Sequence, residues 1–150
     1  MTLKEDVENT PGLKGHYRPG LQGVKAVDRA RMTIVQPTGS VDVDLALQVT
    51  RPNDARWDYL IGRRKGRETL LHWVEVHPAN GDHTIGEIEA KLQWLKTWIG
   101  GTPLRKYNRT FHWIASGKCP FNSRYPRLRS LAQQGLSFCG QHLSVGARDT

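Results

Sequence analysis

The chain has 150 residues, of which 37% are hydrophobic and 24% charged, a composition that excludes disordered, collagen-like and coiled-coil proteins. Lysine and arginine outnumber aspartate and glutamate by 22 to 14, so the formal net charge is +8. No apolar run reaches the roughly 20 residues of a membrane span, and the N-terminus lacks the apolar segment of a secretory signal. Cys119 and Cys139 are too few for a disulfide framework. These features predict a cytoplasmic protein.

The excess of basic over acidic residues is concentrated in the second half of the chain. Thirteen of the fourteen acids lie between Glu5 and Glu89, and the next acid is Asp149. A long basic stretch without acids suits a polyanion, because each phosphate that a protein neutralises releases counterions. The segregation favours DNA as the partner, whereas an excess of charge that only maintains solubility would not need it.

The first half of the chain predicts an arm, a short helix and a strand. Residues 1–20 contain proline and glycine without an apolar period, so we predict a flexible N-terminal arm and a single domain over residues 21–150. The helical spacing of apolar residues over Leu21–Arg31 predicts a short helix. After a turn at Pro37–Ser40, five apolar residues alternate with others over Val41–Val49 and predict a strand.

The middle of the chain predicts a hairpin followed by a long helix. Trp57–Ile61 and Thr69–His77 are expected to be strands joined by a basic loop at Gly62–Gly66. The second of them is apolar at most positions, which predicts a central strand buried on both faces. Thr84, with Glu87 three residues later, has the spacing of a capping box and predicts the start of an amphipathic helix that ends at two glycines.

Three elements follow in the last third of the chain. We predict a strand over Arg109–Ser116, a helix over Ser123–Gly135 and a strand over Leu136–Cys139. The complete order is αβββαβαβ. Three consecutive strands followed by a helical crossover predict an α/β protein with a mixed central sheet flanked by helices.

Two acids on neighbouring predicted strands are the strongest sign of chemistry. Glu75 lies between Val74 and Val76, and Asp58 lies between two aromatic residues. A buried carboxylate is unfavourable unless a partner holds it. If the two strands pair antiparallel, the acids converge, and two adjacent carboxylates usually share a hard cation such as Mg²⁺ or Mn²⁺.

Structural roles for the same two acids remain alternatives. Asp58 can cap a turn or form an ion pair with Arg56 or Arg63. Glu75 can pair with His72 or with an arginine of the basic half. A buried acid with a shifted pKa serves structure in many proteins, so burial alone does not decide between the two interpretations.

The order of elements, with Asp58 on the second strand and Glu75-Val76-His77 on the third, resembles the PD-(D/E)XK nuclease superfamily. The third strand is similar to that superfamily's Glu-x-Lys strand, with histidine in place of lysine. The resemblance implies a restriction-endonuclease-like fold over about residues 21–140. It also implies an ion, Mg²⁺ or Mn²⁺, held by Asp58, Glu75 and the backbone carbonyl of Val76, which activates water to hydrolyse phosphodiester bonds of DNA.

The replacement of the superfamily's lysine by His77 changes what the resemblance implies. A neutral imidazole can act as a base or a ligand, but it lacks the lysine's permanent charge. In some relatives the following helix supplies the basic residue, and Lys91 is the candidate here, with a surface ion pair to Glu87 as the alternative. Catalytic roles are therefore expected for Asp58, Glu75, His77 and Lys91. The rival is a protein that kept the fold, lost catalysis and binds nucleic acid or a partner protein.

Basic residues of the hairpin loop and of the second half are candidate DNA contacts. They are Arg63, Arg64, Lys65, Lys96, Arg105, Lys106 and Arg109. Such residues can follow a phosphate backbone, although a solvated turn has the same composition. Trp94 and Trp98 lie beside the apolar stripe of the long helix and predict packing, with a homodimer contact or base stacking as alternatives.

Overall fold

A computed structural model describes residues 2–119 and 125–146 of the chain. Its strands are β1 (Arg18–Pro19), β2 (Met32–Ile34), β3 (Pro37–Asp42), β4 (Tyr59–Lys65), β5 (Glu68–His77), β6 (Arg109–Ala115), β7 (Leu136–Phe138) and β8 (Leu143–Val145). Its helices are α1 (Leu3–Glu8), α2 (Ala26–Arg29), α3 (Val43–Leu47), α4 (Asp82–Gly100) and α5 (Pro126–Gln133), with a 3₁₀ turn at Pro103–Lys106. The predicted start of the last helix at Ser123 lies outside the described residues.

Six strands form a mixed central sheet in the order β1-β3-β4-β5-β6-β7. Neighbours from β1 to β5 pair antiparallel, whereas β6 is parallel to β5 and β7 is parallel to β6. Parallel neighbours need a crossover connection, and α4 and α5 provide the two crossovers. The predicted α/β class, with a mixed central sheet flanked by helices, is confirmed.

Both faces of β5 are covered, as its apolar sequence predicts. On one face, Leu71 and Trp73 pack against the apolar stripe of α4. The stripe consists of Ile85, Ile88, Leu92, Leu95 and Ile99, all of them buried. On the other face, Val74 packs under the small parallel pair β2–β8. Burial of each large apolar side chain contributes about 1.5–3 kcal/mol, so this packing fixes α4 against the sheet.

The N-terminal segment is not the flexible arm that its glycines and prolines predict. Thr2 and Glu5 form a capping box at the start of α1, and the helix buries Leu3 and Val7 in the main core. β1 then adds to the sheet beside β3. Gly12, whose φ of 90° favours glycine, turns the chain between these two elements. A six-residue helix is too short to show a clear apolar period, which explains the wrong prediction.

The strand predicted over Val41–Val49 is wrong, and the turn predicted before it is part of β3. β3 ends at Asp42. The Oδ1 atom of Asp42 accepts a hydrogen bond from the backbone N–H of Leu45 at 3.0 Å and caps α3. The buried residues of α3 follow helical spacing: Val43, Ala46 and Leu47. Val49, an inward position in the predicted strand, is 88% exposed.

Three predicted boundaries also differ. The basic hairpin loop is shorter, because β4 and β5 pair as far as Lys65 and Glu68. The capping box at Thr84 does not form, since the N-cap of α4 is Gly81 and the Thr84 hydroxyl donates to the Gly81 carbonyl at 2.8 Å. The first predicted helix is shorter, because α2 covers only Ala26–Arg29 of the predicted Leu21–Arg31.

Among the described residues, no helix has both the length and the apolar character of a membrane span.

Candidate active site at the ends of strands β4 and β5

Asp58 and Glu75 lie side by side at one end of the sheet. Asp58 directly precedes β4, and the antiparallel register pairs Tyr59 with Val74. Asp58 Oδ2 accepts a hydrogen bond from the backbone N–H of Val76 at 2.8 Å. The N–H and C=O of one strand residue point to the same side, so the Val76 carbonyl also faces this end of β4. The structure brings together the two acids and the carbonyl named from the sequence.

The surroundings of Asp58 disfavour its charged form. Burial first, and then the nearby Glu75 carboxylate, raise the pKa of Asp58 to about 7. The Val76 N–H and the Lys91 ammonium act in the opposite direction. Glu75 is only 1% exposed. Near neutral pH a proton or a cation must offset the charge of two such acids, and the ammonium group of Lys91 is one such cation.

Lys91 of α4 points into the site. Its ammonium group pairs with Glu75 Oε2, and its side chain is 21% exposed. The backbone carbonyl of Lys91 accepts a hydrogen bond from the Trp57 indole at 2.8 Å, which ties α4 to the residue before Asp58. The alternative surface pair with Glu87 is not formed, because Glu87 turns to two histidines instead.

His77 is held between two carboxylates. Its Nδ1 lies 3.3 Å from Glu75 Oε2, and its Nε2 lies 2.9 Å from Glu87 Oε2. The hydrogen bond to Glu75 raises the pKa of His77, with Glu87 adding to the effect and burial opposing it. His77 therefore carries a positive charge over a wider pH range than a free histidine does. Two basic side chains, His77 and Lys91, thus lie against Glu75.

Glu75 Oε1 is buried and has no hydrogen-bond partner among the described residues. An unpaired buried carboxylate oxygen is costly, and such an atom needs an explanation in a folded protein. Two carboxylates and a carbonyl are the hard oxygen ligands that Mg²⁺ and Mn²⁺ prefer, so the donor set fits the implied ion. No cluster of three or more His, Cys, Asp or Glu side chains within the described ranges forms a metal site. The candidate site therefore depends on its two carboxylates and the carbonyl.

The alternative partners of the two acids are engaged elsewhere. Arg56 Nε donates to Asp44 at 3.0 Å. Arg63 Nε donates to His72 at 3.1 Å on the opposite face of the sheet from Glu75. Each of these two arginines thus has a recorded partner other than Asp58.

Most residues predicted to contact DNA lie at the other end of the sheet. Lys65 pairs with Glu68 and Arg109 with Leu71, whereas the acids lie at the far end of β5. The seven residues from Glu68 to Glu75 span roughly 23 Å. Arg63, Arg64, Lys65, Arg105, Lys106 and Arg109 therefore do not adjoin the site.

Three of the predicted contacts are also engaged within the protein. Arg63 is 4% exposed, so its guanidinium is not available to a phosphate backbone. The Lys106 ammonium lies 2.9 Å from an oxygen of the buried Asp6. Lys96 donates to the Gln134 carbonyl at 2.6 Å.

A different set of basic residues lies one strand away from Asp58. They line a cleft of about 310 Å³ that also includes Asp42: His16, Arg18, Lys25 and Arg29. Asp42 pairs with Tyr59, the residue after Asp58, in the register of β3 and β4. Sequence reasoning missed this group because it lies in the half of the chain that contains nearly all the acids.

Asp58→Asn should stabilise the ion-free protein at alkaline pH. The folded-state pKa of about 7 lies above the ordinary value of 3.8, so the free energy of unfolding of the wild type falls as pH rises between these values. The variant lacks this loss, and its amide oxygen can still accept from Val76. We expect it to be about 1–3 kcal/mol more stable than wild type at about pH 8 and nearly equal at about pH 4. Urea unfolding in chelator at both pH values measures the difference, and an equal difference at both would show that Asp58 is not the titrating group.

Comparison with known proteins gives no match to a protein-family model, a curated protein or a solved structure. The chemistry of the site is therefore argued from its own geometry. That geometry consists of two acids, an unpaired carboxylate oxygen and two basic side chains at the ends of β4 and β5.

Proposed function

We propose that this protein is a metal-dependent nuclease of the PD-(D/E)XK type that hydrolyses phosphodiester bonds of DNA. The observation that carries the proposal is the unpaired, buried Oε1 of Glu75, beside Asp58 and under the ammonium group of Lys91. The strand order supports it as well. The antiparallel β3-β4-β5 meander, the α4 crossover and the parallel β6 follow the restriction-endonuclease-like order that the sequence resemblance implies.

Asp58, Glu75 and the Val76 carbonyl would hold Mg²⁺ or Mn²⁺. When bound, such an ion lowers the pKa of a coordinated water and offsets the negative charge of the phosphate. Bound there, a cation would offset the charge of these two buried carboxylates, one of which, Glu75, has an oxygen without a hydrogen-bond partner among the described residues. The two acids would therefore bind and orient the ion, while the protonated side chains of Lys91 and His77 would act on the water and the phosphate.

Lys91 and His77 would share the task of the superfamily's lysine. The Lys91 ammonium donates hydrogen bonds beside Glu75, where a water and a phosphate oxygen would meet. The His77 ring is fixed by Glu75 and Glu87, so its orientation does not depend on the substrate. A positioned imidazole of this kind can exchange a proton with the attacking water or the leaving group.

The DNA strand would enter over the cleft lined by His16, Arg18, Lys25 and Arg29. This cleft lies at the same end of the sheet as Asp58, because its Asp42 pairs with Tyr59, whereas the basic residues of the β4–β5 hairpin lie at the far end. Phosphate contacts fix the position of a nucleic acid without reading its sequence. We therefore assign the cleft to strand positioning.

Replacing Lys25 and Arg29 together by alanine should weaken DNA binding about 10-fold at moderate salt, because two phosphate contacts are lost. The slope of log affinity against log salt should fall by about two. The control is the Arg64→Ala, Lys65→Ala double variant, which removes the same charge from exposed residues at the far end of the sheet. Fluorescence anisotropy over a salt series measures both variants. Equal losses in the two variants would show that only net charge matters.

A binding protein without catalysis is the second candidate. One observation favours it: Lys91 pairs directly with Glu75 Oε2, so the site has an internal cation in the absence of a metal ion. In that case the same basic cleft would bind nucleic acid or a partner protein and no bond would be cleaved. The two candidates differ in whether the site takes up a divalent cation.

Thermal unfolding with Mn²⁺ tests the proposed function directly. If the wild type binds the ion, a concentration of 100 times its Kd should raise Tm by about 5–10 °C. Asp58→Asn should show no such rise, because it loses a charged ligand. Calcium-free buffer with chelator gives the baseline. A wild-type Tm that stays constant across the Mn²⁺ series would favour the binding protein.

A further inference from the structure

A second cleft, of about 480 Å³, lies between α4 and the turn at residues 51–54. Trp94, Thr97 and Trp98 of α4 form one wall, and Arg51, Asp54 and Pro11 contribute to the other. Its volume falls in the range of small-molecule sites, which is roughly 300–1,000 Å³. The lining differs from that of the candidate active site in having aromatic rings together with charged groups.

Trp94 and Trp98 form a stacked pair in the wall of this cleft. Their ring centroids are 5.8 Å apart and their planes differ by only 9°. Trp98 is 8% exposed and contacts the buried Trp73 edge-on, with 6.0 Å between the ring centroids. The ring of Trp98 is therefore held by the core. Trp94 is only partly buried. The pair is thus a preformed aromatic surface of the kind on which nucleobases stack.

Asp54 and Arg51 place charged groups beside the aromatic surface. Asp54 Oδ2 accepts hydrogen bonds from Arg51 Nη1 at 2.9 Å and from the Trp94 indole at 3.0 Å. These two bonds, the one from Arg51 first, hold the pKa of the carboxyl below its ordinary value. Asp54 Oδ1 has no hydrogen-bond partner among the described residues. It can accept from the exocyclic amino group of adenine, cytosine or guanine.

The cleft is close to the candidate active site along two elements. Asp54 is four residues before Asp58, which limits the separation of their Cα atoms to roughly 14 Å. Trp94 is three residues after Lys91 on α4, a rise of about 4.5 Å. A strand that passes Lys91 therefore reaches the cleft within a few nucleotides, since the rise per nucleotide in a duplex is about 3.4 Å.

We propose that this cleft binds one unpaired nucleobase of the DNA strand that the active site cleaves, by stacking on Trp94 and donating an exocyclic amino proton to Asp54. Arg51, whose side chain is 47% exposed, would pair with the adjoining phosphate. A base within a duplex is stacked and paired and cannot enter such a cleft. The substrate is therefore a single strand, or a duplex with unpaired nucleotides near the cleaved bond. This inference rests on the proposed function for its substrate.

Complementary chemistry favours a nucleotide over other occupants. An aromatic face, a carboxylate acceptor and an exposed guanidinium match, in turn, the π-face, the amino group and the phosphate of one nucleotide. A proline-rich peptide or a second copy of this chain could use the tryptophans alone. Neither would distinguish thymine from the other bases.

The test is binding of an oligonucleotide of about twelve residues and of its duplex to Trp94 variants, all carrying Asp58→Asn to prevent turnover. We expect Trp94→Leu to weaken single-strand binding about 10-fold and to leave duplex binding unchanged, because only the single strand offers a base to stack. Trp94→Phe, which keeps a ring, should stay within about 3-fold. The parent should bind oligo(dA) and oligo(dC) more tightly than oligo(dT), since thymine has no exocyclic amino group.

Tryptophan fluorescence in the unmodified chain gives an independent readout if a variant fails to fold. Trp57, Trp73 and Trp113 are fully buried and Trp98 nearly so, which leaves Trp94 as the ring open to a base. Oligo(dA) should quench the emission more than an abasic strand of the same length. Equal quenching by the two strands, or an equal loss of single-strand and duplex affinity in Trp94→Leu, would overturn the inference.

The outcomes separate this inference from the proposed function. Cleavage by the wild type together with unchanged single-strand binding by Trp94→Leu would remove the base-binding cleft and leave the nuclease. Absence of cleavage together with the predicted loss in Trp94→Leu would leave a base-binding protein without nuclease activity. A tryptophan contact that appears only with peptide or with a second chain, and not with DNA, would contradict the assignment of the cleft to a nucleobase.

Discussion

Replacing Lys91 by methionine should lower kcat for DNA cleavage by about 100-fold or more, as expected for the loss of a positioned proton or charge donor. Lys91 Nζ pairs with Glu75 inside a site that is largely shielded from water, so solvent cannot supply an equivalent cation. DNA affinity should change little, because the phosphate-positioning residues lie in a separate cleft. Single-turnover cleavage and anisotropy in parallel separate the two effects.

The matched control for Lys91 is Lys96→Met, on the same helix. Lys96 is exposed and donates to the Gln134 carbonyl, away from Glu75. The two variants lose the same charge from α4, so a common effect on cleavage would reflect net charge rather than position. Removing one partner of a buried ion pair destabilises a protein, and circular dichroism and Tm must therefore accompany the rates. A Lys91→Met variant that is folded and cleaves at the wild-type rate would exclude Lys91 from the reaction.

Asp58→Asn should have the largest effect of any single change, a loss of about 1,000-fold or more in cleavage, since the proposed ion loses a charged ligand. The variant keeps the shape of the side chain and its acceptor for the Val76 N–H. Its fold should be as stable as that of the wild type or more so. The loss therefore cannot be attributed to unfolding.

Asp44→Asn is the control for Asp58. Asp44 is another acid near the site, and its charge raises the pKa of Asp58, but its side chain pairs with Arg56. We expect its cleavage rate to fall by less than about 10-fold, because a surface ion pair contributes little. Cleavage rates across a Mg²⁺ series measure both variants. Equal rates for Asp58→Asn and the wild type would contradict the proposed ligand set.

Long, regular patterns predicted the frame of the site. β5 is apolar over most of its length and α4 has a five-residue stripe, so both elements were predicted within a few residues of their bounds. The antiparallel pairing of neighbouring strands then made the approach of Asp58 and Glu75 a consequence of the order of elements. The acids themselves were identified because a carboxylate between apolar or aromatic residues on a strand is exceptional.

Short elements and the directions of side chains could not be predicted from the sequence in the same way. The residues of α3 alternate between apolar and other types, so they fit a strand as well as a helix, and only the burial of Val43, Ala46 and Leu47 decides between them. The direction of Lys91 depends on how α4 is rotated against the sheet. Lys91 lies at the edge of the apolar stripe, three residues after Ile88, and the sequence favoured a surface pair with Glu87, because such i,i+4 pairs are common.

The distribution of basic residues along the sequence did not predict which of them lie near the two acids in the fold. The acid-free stretch after Glu89 and the basic hairpin loop suggested where DNA would bind, but strand pairing places Arg64, Lys65 and Arg109 at the end of the sheet that lies away from the acids. Lys25 and Arg29 lie at the end of the sheet that holds the acids, because Asp42 of their cleft pairs with Tyr59, the residue after Asp58. Which residues become neighbours in this way cannot be inferred from the sequence until the register of the sheet is known.

Cleavage of labelled single-stranded and duplex DNA by the wild type, beside Asp58→Asn purified in the same way, tests the central claim most directly. We predict cleavage by the wild type in Mg²⁺ or Mn²⁺ that stops on addition of chelator, with no cleavage by Asp58→Asn. Intact DNA in every lane, with either ion and either substrate, would contradict the claim that this protein is a nuclease. Equal cleavage by the two preparations would contradict the assignment of that activity to Asp58 and Glu75.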